Sequence, residues 1–582
     1  MFFNSESTND MPTKTNEIPA LLSPNNIPHS PGFPDPYVLI GDAGKYQTPM
    51  VIELVFMQNK SLSTSWKTLR HLADWMQVGT TPLRYNVIKQ YPEEMKRRAE
   101  KTNATLIEYQ TATAPETTLI KSASGLHETL QSLSHDGIKE PSLLLFVVED
   151  LSQQVIELLG KHFDIDPLFF REQIDNYVWH NTRDPWASPP SLLSSTKHRQ
   201  WFRMRNVRLR YHTTQADYQD SRLEAEKWNV LRRPDNDETH WHYRDKKGSV
   251  VSIMRTRTTV WIGEDKKGGN GTVGIVLLDP TVTQGRPLWY DRSNWLPTPS
   301  IKTKVYPNIR SSISWFEDIV QMTSVFPWFE RTEGHKINPK VLVKPIMYTI
   351  CAEWLVICDY VKSRLSQIEW ELEMPDIFRS KGDVIDTSLN RLDTWRRQIP
   401  VFREMLEETL EQALPAAVRL TASSSQLPAK TTSPLSTLSL NALSTLSDNL
   451  TINLDNLDAF EDIVSDFRRV LAALNELQER VDRLTGIVTS EISIEDSRRG
   501  LKENHNMARI RLATIFIPLT FISGLYSMNE SVAALSTTYG WYFLTAIPFT
   551  LIVMAIGWVA GGRSLRLWRE GGKQRVSEWK GR

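Results

Sequence analysis

The pattern of apolar and polar positions changes character several times along the chain. Between residues 37 and 310, short β-rich runs alternate with helical ones. The strand signals are Val51–Phe56, Thr105–Tyr109, Leu143–Val148, Arg203–Tyr211, Ser249–Ile262 and Thr272–Leu278. Among them, Val155, Leu158, Leu159 and Phe163 recur at helical spacing over Leu151–Phe163, with Asp150 or Ser152 placed to cap that helix. This mixture predicts an α/β domain. From 311 to 420 the pattern is helical. Leu342–Leu372 and Ser388–Leu414 are long apolar-periodic stretches, the second interrupted by Pro400 and bounded by Pro415. Residues 421–450, mostly Ser, Thr, Leu, Ala and Pro, read as a low-complexity loop.

A long helix follows over 451–508. Ile463, Phe467, Val470, Leu474, Leu477, Val481, Leu484 and Val488 are spaced alternately four and three. That is the 3.5-residue period of helices packed along their length. A two-stranded coiled coil and a stalk packed against neighbours in an oligomer both satisfy it. Glu476, Glu479, Arg480 and Asp482 flank the stripe as solvated faces do.

Two runs near the C-terminal end carry no Asp, Glu, Lys or Arg: Leu512–Met528 and Trp541–Gly562. The first, about 17 residues, is at the lower limit for a spanning helix, and the second is long enough for about 30 Å of hydrocarbon. They predict transmembrane helices over 509–529 and 541–562, joined by a loop at 530–540. Arg498, Arg499, Lys502, Arg509 and Arg511 precede the first run, and Arg563, Arg566, Arg569, Lys573 and Arg575 follow the second. The loop has Glu530 and no Lys or Arg. The positive-inside rule therefore predicts a two-pass integral membrane protein with both termini cytosolic, the basic tail at 563–582 included. Tyr526, Tyr539, Trp541 and Tyr542 mark the outer interface and Trp558 the inner one. The membrane itself, plasma or organellar, is left open. A hairpin this small carries no substrate path alone, so it anchors the soluble part or assembles in several copies around a pore.

Composition adds exclusions. Lys+Arg and Asp+Glu both number 68, and this zero net charge gives no support to a nucleic-acid partner. The two cysteines, Cys351 and Cys358, lie seven apart on an apolar helical stretch and read as buried small hydrophobes. Residues 1–36 are rich in Asn, Ser, Thr and Pro, with Glu6, Asp10 and Glu17 and no apolar core. They read as a disordered tail and not as a targeting signal.

The first apolar run contains Thr514-Ile515-Phe516-Ile517-Pro518-Leu519-Thr520-Phe521 and ends in Gly524-Leu525-Tyr526-Ser527-Met528-Asn529-Glu530. This resembles the first transmembrane helix of the CorA family of divalent-cation transporters, in its large fungal form. Leu158-Leu159-Gly160 and Asp164-Ile165-Asp166-Pro167-Leu168-Phe169-Phe170 resemble the family's cytosolic domain more weakly. The resemblance implies an α/β cytosolic domain, a long stalk helix and two C-terminal transmembrane helices, assembled as a homopentamer around a central pore. It implies a channel or transporter for divalent cations, Mg²⁺ first, with the ion as cargo and no cofactor. Mg²⁺ dehydrates reluctantly and prefers oxygen ligands. On this resemblance Asn529 holds the hydrated ion at the outer mouth, Met528 and Ser527 shape that mouth, and Glu530 attracts cations. Thr520 offers a hydroxyl inside the pore. Ser527 stands where the family has glycine. At 100° per residue Ala513 and Arg509 fall on the same helix face as Thr520, which makes them a pore-face or gate pair. A ring of Arg509 opposes cations unless it reaches lipid headgroups or Glu503. The alternative is a CorA-derived scaffold or metal-responsive regulator that does not conduct.

Other motifs are weaker. Gly41-Asp42-Ala43-Gly44-Lys45 lacks the full spacing of a phosphate loop. His240 and His242 share a face on a strand but have no third ligand in view. Asp235, Asn236 and Asp237 lack the later Gly and Glu of a calcium loop. No nucleophile, base and acid fall at catalytic spacing, so an enzyme is not expected.

Overall fold

In the computed structural model the residues described here are 66–109, 115–135, 143–175, 186, 192–232, 234–237, 248–265, 271–288, 314–325, 338–373, 384–423, 454–527, 540–553 and 555. The expected tail, the Val51–Phe56 strand, almost all of the low-complexity loop and the basic tail lie outside them. The chain forms two compact units, 1–482 and 483–582.

The first unit opens with helices α1 (Arg70–Val78), α2 (Tyr85–Ile88) and α3 (Pro92–Glu100). Strands β1 (Ala104–Tyr109) and β2 (Glu116–Ile120), helix α4 (Ala123–His135), strand β3 (Leu143–Glu149) and helices α5 (Gln153–Phe163), α6 (Pro167–Ile174) and α7 (Leu193–Thr196) follow. Then come β4 (Trp201–His212), α8 (Gln215–Glu226), β5 (Pro234–Asp237), β6 (Val250–Glu264), β7 (Thr272–Leu278) and β8 (Arg286–Pro287). The sheet order is β2-β1-β3-β7-β6-β4-β8, with β5 also on β6. Among the described strands only β3 and β7 pair in parallel, from Leu144 opposite Val273 to Glu149 opposite Leu278. The long β4–β6 ladder runs antiparallel from Trp201 opposite Trp261 to His212 opposite Val250.

β3 reads as an unbroken apolar run because both of its faces are covered. Leu144, Phe146 and Val148 enter a core with Leu126 and Leu130 of α4 and Val155, Leu159 and Phe163 of α5. The Phe146 and Phe163 rings are 5.7 Å apart. The opposite face meets helix α9 (Trp315–Val325) and a 3₁₀ turn at Pro339–Leu342. There the Tyr109 hydroxyl donates to the Thr323 carbonyl at 2.8 Å. A side chain at Gly274 would meet Leu145 at 3.0 Å and Leu342 at 3.2 Å, so glycine lets the turn lie directly on the sheet. Ser152, not Asp150, caps α5 by accepting from the Val155 N–H. Asp150, at φ 54°, instead accepts from the backbone N–H groups of Asn229 and Val230 at 3.1 and 3.0 Å.

The helical layer continues with α10 (Lys344–Glu373), α11 (Val384–Glu408) and α12 (Leu414–Ser423). Pro400 lies inside α11 without ending it. A π turn at Thr409–Ala413 joins α11 to α12, with the Leu414 N–H bonded to the Thr409 carbonyl. This wide turn leads into Pro415, which has no N–H to place. Pro415 therefore sits in the first turn of α12 and is not a boundary.

Helix α13 (Leu454–Ser527) runs without a break through the expected stalk and into the first apolar run. All eight residues of its stripe are buried within one chain. Arg480 pairs with Glu369 of α10 and Lys344 with Asp462 at 3.0 Å, which fixes the first part of α13 to the helical layer. In the second unit a helix, α14, covers residues 540–553. The Phe521 and Phe549 rings lie 6.4 Å apart, and Ile522 and Ala546 are buried. Phe516, Ile517, Phe521, Leu525, Leu544, Ile547, Leu551 and Ile552 are each more than half exposed. Among the described residues no helix is long and apolar enough to cross a membrane. The second charge-free run continues beyond the described helix to Gly562.

The polar centre of the first unit is the Arg232–Asp279 pair, both side chains essentially without exposure. Arg232 Nε donates to Asp279 Oδ2 at 2.5 Å and Nη2 to Oδ1 at 2.8 Å. Asp279 also accepts from the Gln173 amide and the Arg257 backbone N–H, both at 2.7 Å. Removing one partner of such a pair leaves an uncompensated buried charge. Asp279→Ala is therefore expected to cost about 3–5 kcal/mol, whereas Asp393→Ala at the exposed Asp393–Arg397 pair should cost less than about 1 kcal/mol. Unfolding of the two variants in detergent, followed by circular dichroism, checks the contrast.

Glu353 of α10 gives a pH-dependent signal. Burial pushes its carboxyl up to about 7; Arg208 opposes the shift and Asp318 adds to it. Because the unfolded carboxyl titrates near 4.3, the folded state keeps a proton that the unfolded state releases. Stability should fall as pH rises through that window, by on the order of 2 kcal/mol. Melting between pH 5 and 8 should show this fall in the native chain and a smaller one in Glu353→Gln.

Candidate functional site

The site residues expected from the sequence cluster at the end of α13, and the backbone there is helical to Ser527. Arg509, Ala513 and Thr520 therefore share one face of a single helix, since steps of seven and eleven residues return to within about 20°. Ser527 is a further seven residues on. Met528, Asn529 and Glu530 lie outside the described residues.

Thr520 is exposed, and its hydroxyl donates to the Phe516 carbonyl at 2.7 Å. With its proton committed to the helix, the oxygen presents lone pairs outward. That arrangement suits a cation or the hydrogens of its hydration shell. Thr545 and Thr550 of α14 make the same bond to the Trp541 and Ala546 carbonyls at 2.9 and 2.7 Å. These hydroxyls leave no donor unsatisfied in an apolar surrounding. Gly524 has open space around the position of a Cβ, so close packing within this chain does not explain that glycine.

Elsewhere, motifs singled out in the sequence have structural duties. Asp237 accepts from the Tyr360 hydroxyl at 2.8 Å and from Arg364 Nε at 2.7 Å, and Asp235 pairs with Arg255 at 3.0 Å. These two carboxylates anchor β5 and are not the start of a calcium loop. Cys351 and Cys358 are buried, and burial pushes both thiols up to about 12. They behave as apolar filler. Gly41–Lys45, His240 and His242 lie outside the described residues. Among the described residues no three His, Cys, Asp or Glu side chains are grouped to hold a metal ion.

One feature had no sequence signal. Glu172, at the end of α6, accepts from Arg199 at 2.9 Å and from Arg203 at 2.7 Å, and Arg203 also pairs with Glu408 at 2.6 Å. These residues are separated by up to about 236 positions and meet only because β4 lies between α6 and the π turn. Beside them is a cavity of about 150 Å³.

Residues 324–560 match the family described as CorA-like Mg2+ transporter protein. The first apolar run, which resembles this family, lies within that stretch. No curated protein matches the chain. Among solved structures, the chain is similar to the CorA magnesium transporter from Methanocaldococcus jannaschii at 11% identity, with 78% of this chain and 96% of that chain covered and a TM-score of 0.33. It is similar to the full-length CmaX protein at 10% identity, with 80% and 98% covered and a TM-score of 0.33.

Proposed function

With residues 324–560 assigned to the CorA-like Mg2+ transporter family, we propose that this protein is a divalent-cation channel or transporter, Mg²⁺ first, whose pore is lined by the end of α13. The observation that carries the reading is the family motif at the end of one unbroken helix, with Thr520 and Ser527 on a common face. Residues 509–529 and 541–562 are the two membrane spans of this reading. The broad apolar exposure of α13 and α14 in a single chain supports it, since lipid or further copies cover such a surface. Asn529 holds the ion through its waters, Met528 and Ser527 shape the mouth, Glu530 raises the local cation concentration, and Thr520 supplies an oxygen deeper in. Arg509 and Ala513 form the inner end of that face. In this reading both termini are cytosolic.

Self-association belongs to the same reading. The buried stripe of α13 is used within the chain, yet a second stripe at Ile487, Ile494 and Leu501 is 50%, 52% and 69% exposed. Its seven-residue spacing is that of a helix facing another along its length. A second copy of this chain, in a pentamer, is the occupant. The non-conducting scaffold remains the second reading, favoured by Ser527 in the glycine position and by Arg509.

Uptake of Mg²⁺ into liposomes bearing the purified protein tests the first reading. Asn529→Ala should lower the flux at least about tenfold, as loss of an oxygen contact to a charged group implies; Ser527→Gly should conserve or raise it. A well-folded oligomer that carries no Mg²⁺, Mn²⁺, Co²⁺ or Ni²⁺ would instead establish the scaffold. For the assembly, Ile487→Asn/Ile494→Asn/Leu501→Asn should reduce the native mass in detergent, read by light scattering. An unchanged mass would remove this stripe from the interface.

A further inference from the structure

The cavity beside Glu172 has a chemistry that cation transport does not use. It lies in the first unit, between the start of β4 and the π turn that joins α11 to α12. Its volume is about 150 Å³. A single phosphate-sized group with its remaining hydration fits that space.

Its walls are unequally charged. Lys197, Arg199, Arg203 and Arg419 line it, against the carboxylates of Glu172 and Glu411. Four cations against two anions leave a surplus of two positive charges. Glu172 is shared by Arg199 and Arg203, and Glu408 and Asp175 outside the lining also hold Arg203. Arg419 is fixed by donating to the Arg199 carbonyl at 2.7 Å. Burial holds the Arg419 guanidinium below its usual range, so a nearby anion would be favourable to it. Lys197 is exposed at the rim.

Trp201 lies in the same wall, its ring under the Arg199 guanidinium at 5.4 Å, and Glu411 and Gln412 of the π turn also line the cavity.

We propose that this cavity binds a small oxyanion of the phosphate class, held by Arg419 and Lys197 with Arg199 and Arg203 behind them. Guanidinium groups bind such an anion through paired N–H donors, and Lys197 adds a mobile point charge. Glu411 at the rim opposes the anion and sets how tightly it is held. The anion is a free phosphate or the phosphate of a larger soluble molecule. The inference is independent of the transport reading, because all of its residues lie between 172 and 419.

Titration calorimetry of the full-length protein in detergent, at constant ionic strength, tests it with inorganic phosphate and with adenosine monophosphate as probes. Saturable binding of either is expected, and which one binds assigns the source. Lys197→Gln should weaken binding about tenfold, the value of one charge-assisted contact. Arg419→Gln should weaken it at least as much. Glu411→Gln should tighten it about threefold, an effect opposite in sign that damage to the fold does not produce. Lys197 and Glu411 are exposed, so both variants should melt with the native chain when no anion is present. No saturable binding of either probe, or binding that ignores all three substitutions, would overturn the proposal.

Discussion

A buried carboxylate must be surrounded by donors, and Asp279 sets that requirement for the first unit. It follows directly on β7 and takes hydrogen bonds from Arg232, from the Gln173 side chain and from the Arg257 backbone. Each donor comes from a different part of the chain, so one carboxylate fixes α6, β6 and the segment before β5 against each other. The pattern continues outward. Gln173 Oε1 accepts from Thr259 at 2.6 Å, and Arg257 donates to the Glu172 carbonyl. Glu172 then holds Arg199 and Arg203, and Arg203 reaches Glu408 on α11. The pairs thus run from a fully buried one to partly buried ones. Each step outward lowers the desolvation cost that makes isolated buried pairs unfavourable.

The same requirement explains where the cavity forms. Arg199 and Arg203 are placed by Glu172, and the π turn in the opposite wall is placed by α11, which Arg203 holds through Glu408. The cavity is therefore a by-product of the network that ties the helical layer to β4. α13 is tied to the helical layer in a different way, by the Arg480–Glu369 and Lys344–Asp462 pairs.

Much of this was readable in the chain. Leu143–Val148, six consecutive apolar residues, and Thr272–Leu278, apolar apart from Thr272 and Gly274, are strands because such runs suit a strand covered on both faces. The heptad stripe from Ile463 to Val488 fixed both the helix and its buried face, since a 3.5-residue period places those positions on one side whatever covers them. The TIFIPLTF run was legible as a motif because order along one helix is local. β2, β5 and β8 were not legible. Glu116–Ile120 has exposed residues at all but its last position, and Pro234–Asp237 and Arg286–Pro287 are held by pairing partners and not by their own composition. Pro400 and Pro415 were read as breaks because proline lacks an N–H, yet neighbouring packing and a π turn absorb that loss.

The sequence by itself determined the long central strands, the long helices, the unbroken apolar face of α13, and a CorA-like motif with Asn529 beyond its end. All of these depend on periodicity or on adjacent residues. Tertiary structure alone decided that Asp150 serves Asn229 while Ser152 caps α5, and that Asp237 anchors Arg364. It alone brought Glu172, Arg199, Arg203 and Arg419 to one cavity. The reason is physical. A local pattern states what a residue requires, burial or a partner, but which of many equivalent charges supplies that partner depends on the register of β4 against β6 and on the packing of the layers.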